Sequence, residues 1–87
     1  MEPGELKIEY QADGNVIQVY NSLKVCSLVI NGEVVDRYTG LVAGKFVLHG
    51  FADRDGELIP VEAKMGAAFM RLYYDGELVA KRFMMFG

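Results

Sequence analysis

The sequence has a single cysteine, Cys26, and a single histidine, His49, and it has no tryptophan. One cysteine excludes an intrachain disulfide. One cysteine and one histidine also fall short of any zinc-ligand spacing. No run approaches the ~20 apolar residues of a membrane helix. The first ten residues, MEPGELKIEY, are acidic and polar rather than basic then apolar, so they do not read as a secretory signal. A cytoplasmic location is the expectation. Charge of one sign is scarce too: nine Lys and Arg stand against twelve Asp and Glu, a net charge of −3. Phosphate binding rests on clustered cations. The basic residues look scattered along the chain and form no visible stripe, so nucleic acid is not an expected partner.

What is present is apolar and short-ranged. At 87 residues, one domain is expected, spanning 1–87. The hydrophobic fraction of 52% supplies enough apolar area for a modest core. Small turn residues punctuate the chain at 13–15, 31–32, 39–40, 43–44, 53–56, 65–66 and 75–76. Between them lie runs rich in Val, Ile, Tyr and Phe, which read as strands near 5–11, 15–21, 23–30, 33–39, 45–52, 57–63, 67–74 and 77–85. The expected fold is all-β, an antiparallel β-sandwich or flattened barrel of about eight short strands.

One phrase occurs twice. SLVINGEVVDR (27–37) aligns without a gap on RLYYDGELVAK (71–81), matching Leu28 with Leu72, Gly32 with Gly76, Glu33 with Glu77 and Val35 with Val79. Asn-Gly and Asp-Gly favour the two-residue type I′ turn, in which both central residues take positive φ. Such turns set Ile30 opposite Glu33, Val29 opposite Val34 and Leu28 opposite Val35, with Tyr74, Tyr73 and Leu72 opposite Glu77, Leu78 and Val79. Alternation then groups Val25, Val29, Val34 and Tyr38 on one face and Cys26, Leu28, Ile30 and Val35 on the other. The Leu28/Val35 and Leu72/Val79 pairs are expected inside. Upstream, residues 10–19 lie on 50–61 with a two-residue gap, placing Val16, Ile17 and Val19 on Leu58, Ile59 and Val61. The chain thus reads as a pseudo-repeat of two four-strand units, about 5–40 and 45–86, broken near LVAG (41–44).

Residues 60–72 admit two readings. Pro60 with Val61, Met65, Phe69 and Leu72 suits a helix. Gly66 and the passage into LYYDGELV favour strands, in which case Pro60 lacks a ladder donor and its strand is expected at an edge.

Residues that could carry chemistry stand apart. His49 shares a strand face with Val47 and Phe51 and has no nucleophile or orienting partner in a motif. Cys26 lies beside Leu28 and Ile30 and reads as a small core hydrophobe. The acids Asp13, Asp53, Asp55, Glu57, Asp75 and Glu77 gather in turns. DRDGE (53–57) lacks the further ligands of a calcium loop, and GLVAGK (40–45) lacks the paired Ser/Thr of a phosphate loop. No catalytic residue, metal site or cofactor is indicated, and the chain reads as non-catalytic. The C-terminus, KRFMMFG, is different: Phe83, Met84, Met85 and Phe86 set four large apolar side chains in a row. Exposed Met-rich and aromatic surface suits association. The expected function is therefore an interaction module, a homodimer or larger homo-oligomer, or a module docking another protein. The alternative is a carrier of a small apolar ligand, in a pocket lined by Phe46, Leu48, Phe69 and Met70.

VINGEVVD (29–36), LVAGKFVL (41–48), IPVEA (59–63) and FMRLYYDGELV (69–79) occur in an order that resembles the C-terminal domain of the Fas apoptotic inhibitory molecule family. The resemblance covers most of 13–80 and implies an antiparallel sandwich of two four-stranded sheets with no catalytic centre. The chain departs from that family in having no Trp and no His-bearing strand near 15–20.

Overall fold

The structure, a computed structural model, describes residues 6–22, 25–39, 46–66 and 69–83. Its eight strands are β1 (Leu6–Ala12), β2 (Asn15–Asn21), β3 (Val25–Ile30), β4 (Glu33–Thr39), β5 (Phe46–Arg54), β6 (Glu57–Met65), β7 (Phe69–Tyr74) and β8 (Glu77–Phe83). They form two antiparallel meanders, β1-β2-β3-β4 and β5-β6-β7-β8. The all-β expectation and its division into two four-strand units are met. The sheets do not join into a closed barrel. Residues 60–65 and 69–72 lie in strands, not a helix, because the alternating Ile59, Val61, Ala63 and Met65 are all buried on one face.

Four two-residue turns build the β1–β2, β3–β4, β5–β6 and β7–β8 hairpins. Asp13-Gly14, Asn31-Gly32, Asp55-Gly56 and Asp75-Gly76 all have positive φ at both residues, between 51° and 86°. The right-handed twist of the flanking strands suits that turn type. Hydrogen bonds and ion pairs among these turns place all four at one end of the sandwich. Asn31 Nδ2 donates to Asn15 Oδ1 at 3.0 Å, Asn15 Nδ2 to the Asp53 carbonyl at 2.8 Å, and the Tyr74 hydroxyl to Asp13 Oδ2 at 2.6 Å.

The register departs from simple alternation at matching places in the two halves. Ile30 faces Glu33 and Val29 faces Val34, as the turn requires, but Leu28 then faces Asp36, not Val35. In the second copy Leu72 faces Ala80, not Val79. A β-bulge at Val35 and another at Val79 each add one residue to the outer strand. Both valines pack half-buried against the core, so they are inside although they are not the cross-strand partners of Leu28 and Leu72. Beyond the bulge the faces invert. Tyr38 lies opposite buried Cys26 rather than with Val29, and it stacks on Phe46 at 4.2 Å between ring centroids.

The core lies between the inner faces. Ile17, Val19, Cys26 and Leu28 of the first sheet are fully buried, as are Val61, Ala63, Met70 and Leu72 of the second. Burying each large aliphatic side chain contributes about 1.5–3 kcal/mol. Ile17, Val19, Ile59 and Val61 are all buried, but the register corrects their expected matching: Ile17 faces Ile30 as Val61 faces Tyr74, so Ile17 is the counterpart of Val61 and not of Ile59. The two-residue gap is absorbed in strand length: β5 and β6 have nine residues each, β1 and β2 seven.

β6 is an interior strand, which corrects the expectation that Pro60 marks an edge. The Pro60 carbonyl accepts from Asp75 N–H, so the face of its backbone that lacks a donor meets β7 only where β7 has already entered its turn. The matching position in the first sheet, Val16, has an N–H, which donates to Asn31 Oδ1 at 2.8 Å. No ladder bond is lost at Pro60.

Two seams close the sandwich: β5 packs against β3 and β4, and β1 packs against β8. A half-turn relating the two units exchanges the β4–β5 and β8–β1 seams. At the first, His49 N–H donates to Asp36 Oδ2 at 2.9 Å; at the second, Arg82 Nη1 donates to the Lys7 carbonyl at 2.8 Å. Gly50 lets β5 approach closely. A Cβ there would stand 2.7 Å from Val35 Cγ2 and 3.1 Å from Ile30 Cδ1.

Two stability predictions follow from this geometry. Gly32→Val and Gly76→Val each lower stability by about 1–2 kcal/mol or more, because a β-branched residue is strained at φ 82° or 80°, while an added Cβ meets nothing within 4 Å. Urea denaturation reads this, and an unchanged midpoint in both removes the turn argument. Gly50→Ala costs about 1–3 kcal/mol through overpacking. In a double-mutant cycle Val35→Ala relieves part of that cost; strict additivity would show that the close approach is not the cause.

Candidate functional site

The residues singled out for chemistry do not converge. Cys26 is fully buried, and burial pushes its thiol up to about 12. A thiol so placed stays protonated and unreactive. At pH 8, four units below that value, roughly one molecule in ten thousand carries thiolate. Native protein therefore reacts with a thiol reagent only at its unfolding rate, and Cys26→Ala lowers stability by about 1 kcal/mol. Labelling as rapid as that of a free thiol would place Cys26 at the surface.

His49 sits on the outer face of β5, its Nδ1 3.7 Å from Glu62 Oε2. The expected ligand pocket does not form from its four residues. Leu48 and Met70 are packed in the core, Phe46 lies beneath Tyr38, and Phe69 points to the outer face, where its ring meets Phe83 edge-on at 5.3 Å. Among the described residues no group of three or more His, Cys, Asp or Glu could hold a metal ion, and no helix is long and apolar enough to cross a membrane.

The turn end is acidic. Asp13, Asp53, Asp55, Glu57, Asp75 and Glu77 come together there, with Arg54 among them. Arg54 Nη2 donates to Glu57 Oε1 at 2.9 Å and to Asp75 Oδ2 at 3.4 Å, and its Nη1 lies 3.9 Å from Asp13 Oδ2. These acids, Glu57 foremost, raise the Arg54 pKa above its ordinary value. Buried Tyr74 closes the network beneath: burial first, and then its hydrogen bond to Asp13, raises its hydroxyl pKa.

The outer face of the second sheet is the site that the linear sequence concealed. Across it, register aligns Val47, Lys64, Arg71 and Lys81 in one row. Three of those four are cations, so residues scattered along the chain do form a stripe. The next row is His49, Glu62, Tyr73 and Leu78. Phe51 and Pro60 follow, and then Asp53 and Leu58, beside the acidic turns. Lys64 Nζ lies 4.6 Å from the Tyr73 ring centre, while Lys81 Nζ and the Arg71 guanidinium lie 4.8 and 5.3 Å from that of Phe69. Large apolar side chains remain in solvent on this face: Phe51 is 61% exposed, Leu58 68%, Leu78 47% and Phe83 49%.

The first sheet presents a different outer face. Lys7, Glu9, Gln11, Gln18 and Ser27 stand there with Val16, Tyr20, Val25 and Val34; Gln18 Nε2 donates to Glu9 Oε1 at 3.0 Å and Lys7 Nζ lies 3.2 Å from the same oxygen. Those contacts, Gln18 foremost, hold the Glu9 carboxyl below its ordinary pKa. Of the four C-terminal residues expected to associate, Phe83 ends β8 on the apolar outer face. Met84, Met85 and Phe86 lie outside the described residues.

No protein-family model matches the chain, and neither a curated protein nor a solved structure is significantly similar to it. The fold class is thus defined by the coordinates: a two-sheet, eight-strand antiparallel sandwich of two related meanders.

Proposed function

We propose that the chain is a non-catalytic β-sandwich association module, that it associates through the outer face of β5–β8, and that a second copy of itself is the partner. One observation carries this reading. Phe51, Leu58, Leu78 and Phe83 are all on that face and all about half exposed or more, whereas the outer face of the first sheet mixes hydrogen-bonded polar side chains on β1 and β2 with the smaller part-exposed Val25 and Val34. Large apolar side chains left in solvent among charged ones mark a protein contact. A two-fold contact needs only one self-complementary patch. The separation of His49 from Cys26, and the protonated state of that thiol, support the non-catalytic part.

The face is modest in size. Four strands ~4.8 Å apart and about seven residues at ~3.4 Å each give roughly 450 Å² per copy before corrugation. Two copies would bury roughly 900 Å² in total, the size of weak, transient contacts rather than of stable dimers. Sedimentation equilibrium from low to high micromolar protein should show a reversible monomer–dimer transition. Phe51→Ser with Leu58→Ser should give a folded monomer, since neither side chain belongs to the core. Wild-type protein that stays monomeric at high micromolar concentration overturns the reading.

A further inference from the structure

One row of the second sheet sets like charges directly opposite one another. Lys64 faces Arg71 across β6 and β7, and Arg71 faces Lys81 across β7 and β8. Like charges in opposed cross-strand positions are destabilising. Among the described residues no carboxylate forms an ion pair with any of the three. Each leans instead on an aromatic ring, Lys64 on Tyr73 and the other two on Phe69. The fold does not demand this crowding. In the first sheet the corresponding row is Lys7, Tyr20, Ser27 and Arg37. Its two cations stand on the outermost strands, and Lys7 lies 3.2 Å from Glu9 Oε1. The row of the second sheet is therefore short of negative charge.

An open cavity of about 360 Å³ adjoins the same row. Phe46, Val47 and Met65 give it apolar walls, Lys64 and Arg71 give it cationic ones, and Gly66 completes it. A Cβ added at Gly66 would stand 3.9 Å from Arg71 Nη1, so the bare glycine leaves that nitrogen room to meet a ligand. Ligand sites combine apolar walls with a few convergent polar groups in this way. The N–H donors of a guanidinium lie in its plane, so stacking on a ring leaves them free for a carboxylate or phosphate. We propose that the cavity binds a small amphipathic anion, with its carboxylate or phosphate head on Lys64 and Arg71 and its apolar body against Phe46, Val47 and Met65. The head offsets the repulsion between the two cations, and Lys81, next in the row, adds attraction from further away. A bare anion leaves the apolar walls unused, and a neutral hydrocarbon leaves the cations unpaired. All six lining residues belong to one chain, so the site is complete in a monomer and does not rest on self-association.

Amide chemical-shift titration of the full-length protein tests this, with hexanoate and hexyl phosphate as probes. At least one of them should shift the amides of Val47, Met65 and Gly66 and saturate at about millimolar concentration. Acetate lacks the apolar body and hexan-1-ol lacks the charge, so each should bind about 10-fold more weakly or worse. Lys64→Gln and Arg71→Gln should each weaken the amphiphile about 10-fold, with circular dichroism reporting an intact sheet, while Lys64→Arg keeps the affinity. Val47→Ser, at a position outside the core, should weaken the amphiphile and leave acetate unchanged. Saturating amphiphile should raise the urea midpoint of wild type and not that of Arg71→Gln, because only a ligand held by the folded site stabilises it. The site is overturned if neither probe saturates, if acetate or hexan-1-ol binds as well, or if Arg71→Gln binds undiminished. Hexaglutamate binding more tightly than both probes overturns it too, since the row is then a docking surface for an acidic protein segment.

Discussion

Positive φ at two consecutive residues is the constraint on which the rest of the structure depends. It recurs at Asp13-Gly14, Asn31-Gly32, Asp55-Gly56 and Asp75-Gly76. Each turn leaves no slack in the loop, so each hairpin has one register. Because the side-chain period of a strand is two, one register means one inner face. Ile17, Leu28, Ile59 and Leu72 are fully buried as a consequence. The turns also gather at one end, which concentrates acids there and leaves Arg54 and the Tyr74–Asp13 hydrogen bond to knit the sheets together.

The two bulges turn flat meanders into a sandwich. An extra residue at Val35 and at Val79 bends the outer strand of each sheet and increases its local twist. The strand then leans toward the opposite sheet, where β4 meets β5 and β8 meets β1. Chemistry at the two seams differs although their geometry is related. Gly50 and the Tyr38–Phe46 stack occupy one; Arg82 bonds a backbone carbonyl at the other. The repeat is thus retained in turns, bulges and core positions, and lost where side chains meet between the units.

Divergence between the units is greatest on their outer faces. The first sheet ties Lys7, Gln11 and Gln18 to Glu9 on its outer face and leaves the smaller Val25 and Val34 part-exposed there. The second presents aromatic rings beside cations and leaves Phe51, Leu58, Leu78 and Phe83 exposed. Nothing in folding requires so asymmetric a face, since the core on its other side is complete without Phe51, Leu58 or Leu78. The association proposed above accounts for its exposed apolar side chains.

Local physics made much of the fold legible in the sequence. Asn-Gly and Asp-Gly encode their turns within two residues, and the Val, Ile and Tyr runs between them encode extended chain. These suffice for the eight strands, the two units and the buried place of Cys26. The bulges were hidden because GEVV and GELV permit either register until the seam draws the outer strand inward. Pro60 suggested an edge because sequence alone could not show that its missing donor would fall beside a turn. The cationic row was invisible for a related reason. Lys64, Arg71 and Lys81 lie far enough apart in the chain to look scattered, and only cross-strand register makes them neighbours. Local sequence determines which way each strand bends back and which of its faces is apolar, because turn dihedrals and alternation act over a few residues. Tertiary structure decided which charges stand together and which apolar face was left over, because those depend on pairing between strands that the chain brings together only when folded.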